Sequence, residues 1–113
     1  MSLDATLAAL SDPTRRAVLE LLRGGPRRAG ELSDALGMSP PAMSRHLRVL
    51  RECGLVAEAR GDDDGRVRVL RLRPEPLDEL RHWIGEVERF WTGQLASFKE
   101  HAERRSRRAP RRR

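Results

Sequence analysis

The chain has 113 residues, enough for one domain with one modest core, and no apolar run approaches the ~18 residues that span a membrane. Its net charge of +6 sits at one end: residues 104–113, RRSRRAPRRR, hold seven arginines and no acid, and the rest holds sixteen basic against seventeen acidic residues. A single cysteine, Cys53, excludes an internal disulfide, and the N-terminus has no basic stretch ahead of its apolar part, so a reducing, cytoplasmic setting is expected.

Leu3, Leu7 and Leu10 follow helical spacing and predict a short first helix. Asp12 followed by Pro13 is a strong helix start, and the second helix, 13–23, is expected to bury Val18, Leu21 and Leu22 before Gly24-Gly25-Pro26 ends it. A third helix over 29–36 has Leu32 and Leu36 on one face. Its start is poorly signalled, because Arg27 and Arg28 are weak caps. Gly37 suits a tight turn, and Ser39 then caps a fourth helix that opens at Pro40 and runs to Cys53, where Gly54 stops it. Leu32, Leu36, Met38, Met43, Leu47 and Leu50 are the expected shared core of helices three and four.

Residues 55–60 and 66–73 read as two strands joined by the turn residues Gly61-Asp62-Asp63-Asp64-Gly65. The apolar phase slips between Val67–Val69 and Leu70–Leu72, which predicts a bulge or the end of pairing there. Pro74 and Pro76 open a last helix running past residue 100, and the arginine segment reads as a disordered tail. The expected organisation is one domain over 1–103 and a tail over 104–113.

Two short helices joined by a glycine turn, the second capped and followed by a hairpin, form a winged helix-turn-helix. Ser33, Gly37 and Met43 stand at the spacing this motif needs: a small residue for close helix approach, a turn glycine and an apolar plug. The fold class expected is mainly α, with about five helices, a two-stranded wing and a long C-terminal dimerisation helix. With these residues in place, the segments DPTRRAVLELL (12–22), GELSDALGMSPPAMSRHLRVLRECGLV (30–56) and GRVRVLRLRPEPLDELRHWI (65–84) resemble the ArsR-type transcriptional regulators. The later ERFW (88–91) resembles a subgroup without metal sites. The resemblance implies a homodimeric repressor that binds an inverted-repeat DNA operator, often in its own promoter.

On a helical wheel Met43, Leu47 and Leu50 cluster on one side of the fourth helix, and Pro41, Ser44, Arg45 and Arg48 lie opposite. Arginine bonds guanine bidentately, serine serves several bases, and apolar Pro41 and Ala42 suit a thymine methyl group. Residues 40–73 hold eight arginines against five acids, whereas 75–103 hold seven acids against three basic residues, as if one face met a polyanion and another turned away. The expected base-reading residues are Pro40, Pro41, Ala42, Ser44 and Arg45, positions near the helix start that the resemblance also supports. Ser39, His46, Arg48, Arg60, Arg66 and Arg68 are the expected phosphate and wing residues. For His46, at the rim of the core side, packing, a phosphate contact and a metal role are all open. The triple aspartate argues against deep wing insertion and lacks the remaining spaced ligands of a calcium loop.

Leu77, Leu80, Ile84, Val87, Trp91, Leu95 and Phe98 form an apolar stripe on the last helix. Over 76–102 that helix spans ~40 Å, long for so small a domain to cover alone. Pairing it with its mate is expected to bury Leu3, Leu7, Leu80, Ile84, Val87, Trp91 and Leu95 at a dimer interface. The metal sites that the resemblance implies use a cysteine pair near the third helix, or spaced Asp and His on the last. Neither pattern is present. No cofactor is expected, no effector site is legible, and Cys53 reads as a packed core residue. The tail either adds phosphate contacts, folds over the acidic last helix, or has no role. No nucleophile–base pair, carboxylate dyad or glycine-rich phosphate loop appears, so an enzyme is not expected. The competing reading is a winged-helix dimer that binds protein or RNA.

Overall fold

The computed structural model describes residues 2–60 and 68–108, with the backbone alone at Arg60 and Arg108. The elements in chain order are α1 (Leu3–Leu10), α2 (Pro13–Leu22), β1 (Arg27–Arg28), α3 (Ala29–Ala35), α4 (Pro40–Glu52), β2 (Val56–Arg60), β3 (Arg68–Leu72) and α5 (Glu75–Arg108). They fall into two compact units, residues 1–80 and 81–113.

Local chemistry sets the helix ends of the first unit. The Ser2 hydroxyl oxygen accepts from the Ala5 amide at 3.0 Å at the start of α1. Asp12 Oδ1 accepts from the Thr14 and Arg15 amides at 2.7 and 3.1 Å ahead of Pro13 in α2. α3 starts at Arg28 without a side-chain cap, as those arginines predict. The carbonyls left over at the end of α1 find donors in α2: Arg15 donates to Ala9 and Ala8 at 2.7 and 3.2 Å, and Arg16 to Leu10 at 2.6 Å.

These helices enclose one core of Ala9, Val18, Leu19, Leu22, Leu32, Met43, Leu47, Leu50, Cys53, Leu55, Val56 and Leu70. Fully burying a leucine contributes roughly 1.5–3 kcal/mol, so Leu32, Leu47, Leu50, Leu55 and Leu70, all at 0 % exposure, dominate its stability. Leu21, Leu36 and Met38 are half-buried against it. Cys53 lies in this core, and its thiol donates to the Leu50 carbonyl at 3.4 Å. α1 turns Thr6 and Ala9 inward, and the Thr6 hydroxyl donates to the Ser2 carbonyl at 3.1 Å. Leu7 is left 41 % exposed.

The sheet departs from the expected two-stranded wing. It has three antiparallel strands in the order β1-β3-β2, because Arg27 and Arg28 pair with Leu70 and Val69. Two arginines after Gly-Gly-Pro carry little strand signal, and the pairing is imposed by the free edge of β3. The expected bulge is also absent among the described residues. β2 and β3 pair without interruption from Val56↔Leu72 to Arg60↔Arg68. This register buries Leu70 and leaves Val69 half-buried on the opposite face, so the change of apolar phase needs no extra residue. The aspartate turn, 61–65, and Arg66 lie outside the described residues.

In the second unit α5 continues through Arg108, five residues into the segment expected to be disordered. Glu100 reaches Arg104 at 4.0 Å, and Arg107 Nε donates to the Glu103 carbonyl at 3.4 Å. Such one-turn pairs, with cations near a helix C-terminus, favour the helical state that composition alone concealed.

Candidate nucleic-acid interface

The α3-turn-α4 unit is built around Ser33, Gly37 and Met43. Ser33 is buried and its hydroxyl donates to the Ala29 carbonyl at 3.2 Å, so no polar group is orphaned where the helices meet. Met43 is 1 % exposed and fills the space between them. Ser39 then caps α4, accepting from the Ala42 amide at 3.4 Å ahead of Pro40.

α4 presents two distinct faces. Met43, Leu47 and Leu50 point into the core, whereas Ser39, Pro40, Pro41, Ser44, Arg45 and Arg48 are exposed. Ala42 and His46 are half-buried at the boundary, so both are less available than the residues beside them. The exposed strip offers a hydroxyl, two guanidinium forks and apolar proline carbons, the mixture that fits base edges in a major groove.

Asp12 caps the start of α2. The Arg15 amide holds its carboxyl below the usual value of 3.8, helped by the Thr14 amide, the Arg15 guanidinium and nearby His46, against the opposing effect of partial burial.

Of the three wing arginines, Arg68 is the one whose side chain is described. Arg60 ends β2 opposite Arg68. The Arg68 guanidinium bonds Glu58, with Nε 3.0 Å from Oε1, and the same oxygen accepts from Arg51 Nη1 at 2.8 Å. Arg51 and Glu58 were missed in the sequence. Arg51 carried a legible signal, since it follows Ser44 and Arg48 at i+7 and i+3 on one side of α4. Glu58 carried none, because its value lies in the strand register.

Of the residues expected at a dimer interface, Leu3 and Leu80 are half-buried and Leu7 is exposed in the first unit. In the second, Val87 is half-buried and Ile84, Trp91 and Leu95 are exposed. Trp91 and Leu95, at 59 % and 64 % exposure, are large apolar side chains left mostly exposed in the single chain. Among the described residues no three of His, Cys, Asp and Glu gather where they could hold a metal ion. Among the same residues no helix is long and apolar enough to cross a membrane.

Comparison with known proteins agrees with this geometry. Residues 12–58 match the bacterial regulatory proteins of the arsR family. The chain is 41% identical over 95 residues to the HTH-type transcriptional regulator Rv2034 of Mycobacterium tuberculosis, covering 84% of this chain and 83% of that protein. It is 40% identical over 76 residues to the transcriptional repressor SdpR of Bacillus subtilis, covering 67% of this chain and 81% of that one. Among solved structures, an ArsR-like transcriptional regulator from Rhodococcus sp. RHA1 superposes with a TM-score of 0.76 at 31% identity, covering 88% of this chain and 92% of that one. A two-faced α4 behind a glycine turn, the three-stranded sheet and these relatives together place the chain in the arsR family of bacterial regulatory proteins.

Proposed function

We propose that this protein is a homodimeric transcriptional repressor that reads an inverted-repeat operator through α4 in the major groove. As an arsR-family member it is a DNA-binding transcriptional regulator and not an enzyme. The observation that carries the reading is the division of α4: its apolar side is sealed in the core, and Pro41, Ser44, Arg45 and Arg48 are exposed together. Pro40, Pro41, Ala42, Ser44 and Arg45 are assigned to base edges, and Ser39, His46, Arg48, Arg60, Arg66 and Arg68 to phosphates. The apolar stripe of α5, with Leu3 and Leu7, is assigned to a second copy. Two-fold symmetry then sets the two α4 helices ~34 Å apart, one turn of DNA.

Selection of bound sequences from a random duplex pool tests this reading. The expected product is an inverted repeat whose half-sites are centred ~10 base pairs apart, bound well above random duplex at ~150 mM salt. Equal affinity for selected and random duplex would favour a protein- or RNA-binding module instead.

A further inference from the structure

Glu58 stands in the middle of β2, and its Oε1 meets two described guanidinium groups. Its Oε1 accepts from Arg51 Nη1 at 2.8 Å and from Arg68 Nε at 3.0 Å, with Arg68 Nη2 also 3.0 Å away. The last turn of α4 and both long strands therefore converge on a single carboxylate oxygen. Among the described residues the cluster holds two positive charges against one negative. Its side chains are 36%, 46% and 39% exposed for Arg51, Glu58 and Arg68, so an outside ligand can reach them.

We propose that Arg51 and Arg68 form a binding site for one DNA backbone phosphate, and that Glu58 is its positioning residue. The assignment rests on the reading of α4 as the groove helix. Arg68 gives Nε and Nη2 to Glu58 and Arg51 gives Nη1, which leaves Nη1 of Arg68 and Nη2 of Arg51 uncommitted to that carboxylate. Guanidinium donors in a fixed fork match phosphate oxygens, and a phosphodiester restores charge balance to the trio. Ser44, Arg48 and Arg51 lie along one side of α4, so the site extends the exposed strip from the groove helix to the wing. Ion pairs this exposed add little to stability. What Glu58 supplies is order, since it restrains two long side chains before DNA arrives.

The sign of one substitution tests the proposal. Removing a negative charge beside a polyanion strengthens binding if charge alone matters. Positioning predicts the reverse. Binding of the full chain to the duplex recovered from a random pool, and to a scrambled duplex, is measured across a salt series. Glu58→Gln is expected to weaken both by about three- to tenfold. Arg51→Ala is expected to flatten the logarithmic salt slope by about one and to weaken both duplexes alike. Arg51→Lys, which keeps the charge and loses the fork, is expected to keep the slope and lose affinity. Thermal unfolding of each variant confirms that it folds, and Arg51→Lys reads the site if Glu58→Gln does not. Equal or tighter binding by folded Glu58→Gln, or an unchanged slope in Arg51→Ala, overturns the site. Wild-type protein that binds both duplexes equally overturns the base-reading assignment of α4 instead, and the salt slopes still report on the phosphate site.

Discussion

The Met38 amide donates to the Ser33 carbonyl oxygen at 2.9 Å, closing the turn that aims α4. The Gly37 amide bonds the Asp34 carbonyl at 3.3 Å in the same turn, and Gly37 takes φ 60, in the left-handed region. A side chain added at Gly37 meets nothing within 4 Å, so its cost is conformational and not steric. Gly37→Ala is expected to cost ~1 kcal/mol and Gly37→Asn less, because asparagine tolerates this region better. Urea denaturation measures both. Equal losses for the two would show that something other than backbone conformation sets the cost.

Asp12 makes part of the stability depend on pH. Its folded-state carboxyl is held below 3.8, so the ionised form is favoured by folding. The contribution is fully present above the unfolded carboxylate value and is lost as pH falls through the depressed folded-state value. Asp12→Asn keeps a capping oxygen but not the charge. The wild type is expected to exceed this variant in urea midpoint at about pH 7, with the gap closing below about pH 4. A gap that stays constant down to about pH 2 would remove the charge from the explanation.

Helices α2 and α4 were legible because each carries its own punctuation. Asp12-Pro13 and Ser39-Pro40 announce starts, and Gly24-Gly25 and Gly54 announce stops, all within a few residues. The exposed side of α4 was legible for the same reason: helical period alone puts Arg45 and Arg48 opposite Leu47 and Leu50. What was hidden depends on partners distant in sequence. Arg27 and Arg28 become a strand only because β3 offers them an edge. Glu58 meets Arg68 only through the β2–β3 register, and Arg51 only because α4 ends beside β2. The helical extent of α5 beyond residue 103 was masked by composition, since arginine runs look alike in a tail and in a helix.

Arg45 is the sharpest test of base reading. It is exposed on the outer side of α4, one residue from Ser44 and three from Arg48. Arg45→Ala is expected to cost ~1–3 kcal/mol on the selected duplex and to relax the preference at one base position. Little should change on scrambled duplex. Losses of the same size on both duplexes would reassign Arg45 to phosphate.

The dimer assignment turns on Val87. On α5 it lies between Ile84 and Trp91, at three- and four-residue steps, and is half-buried while both neighbours are exposed. A carboxylate placed in an apolar helix pair loses its water without gaining a partner, which costs several kcal/mol in each subunit. Val87→Asp is therefore expected to yield monomers by sedimentation, with the helical spectrum retained. Operator affinity should fall steeply, because a monomer engages one half-site and forfeits the advantage of linked binding to two. Affinity for a duplex carrying a single half-site should change far less, since α4 lies in the other unit. An intact dimer would move the interface off the Ile84–Val87–Trp91 side of the helix. A monomer that kept full affinity for the whole operator would instead show that pairing adds nothing to recognition.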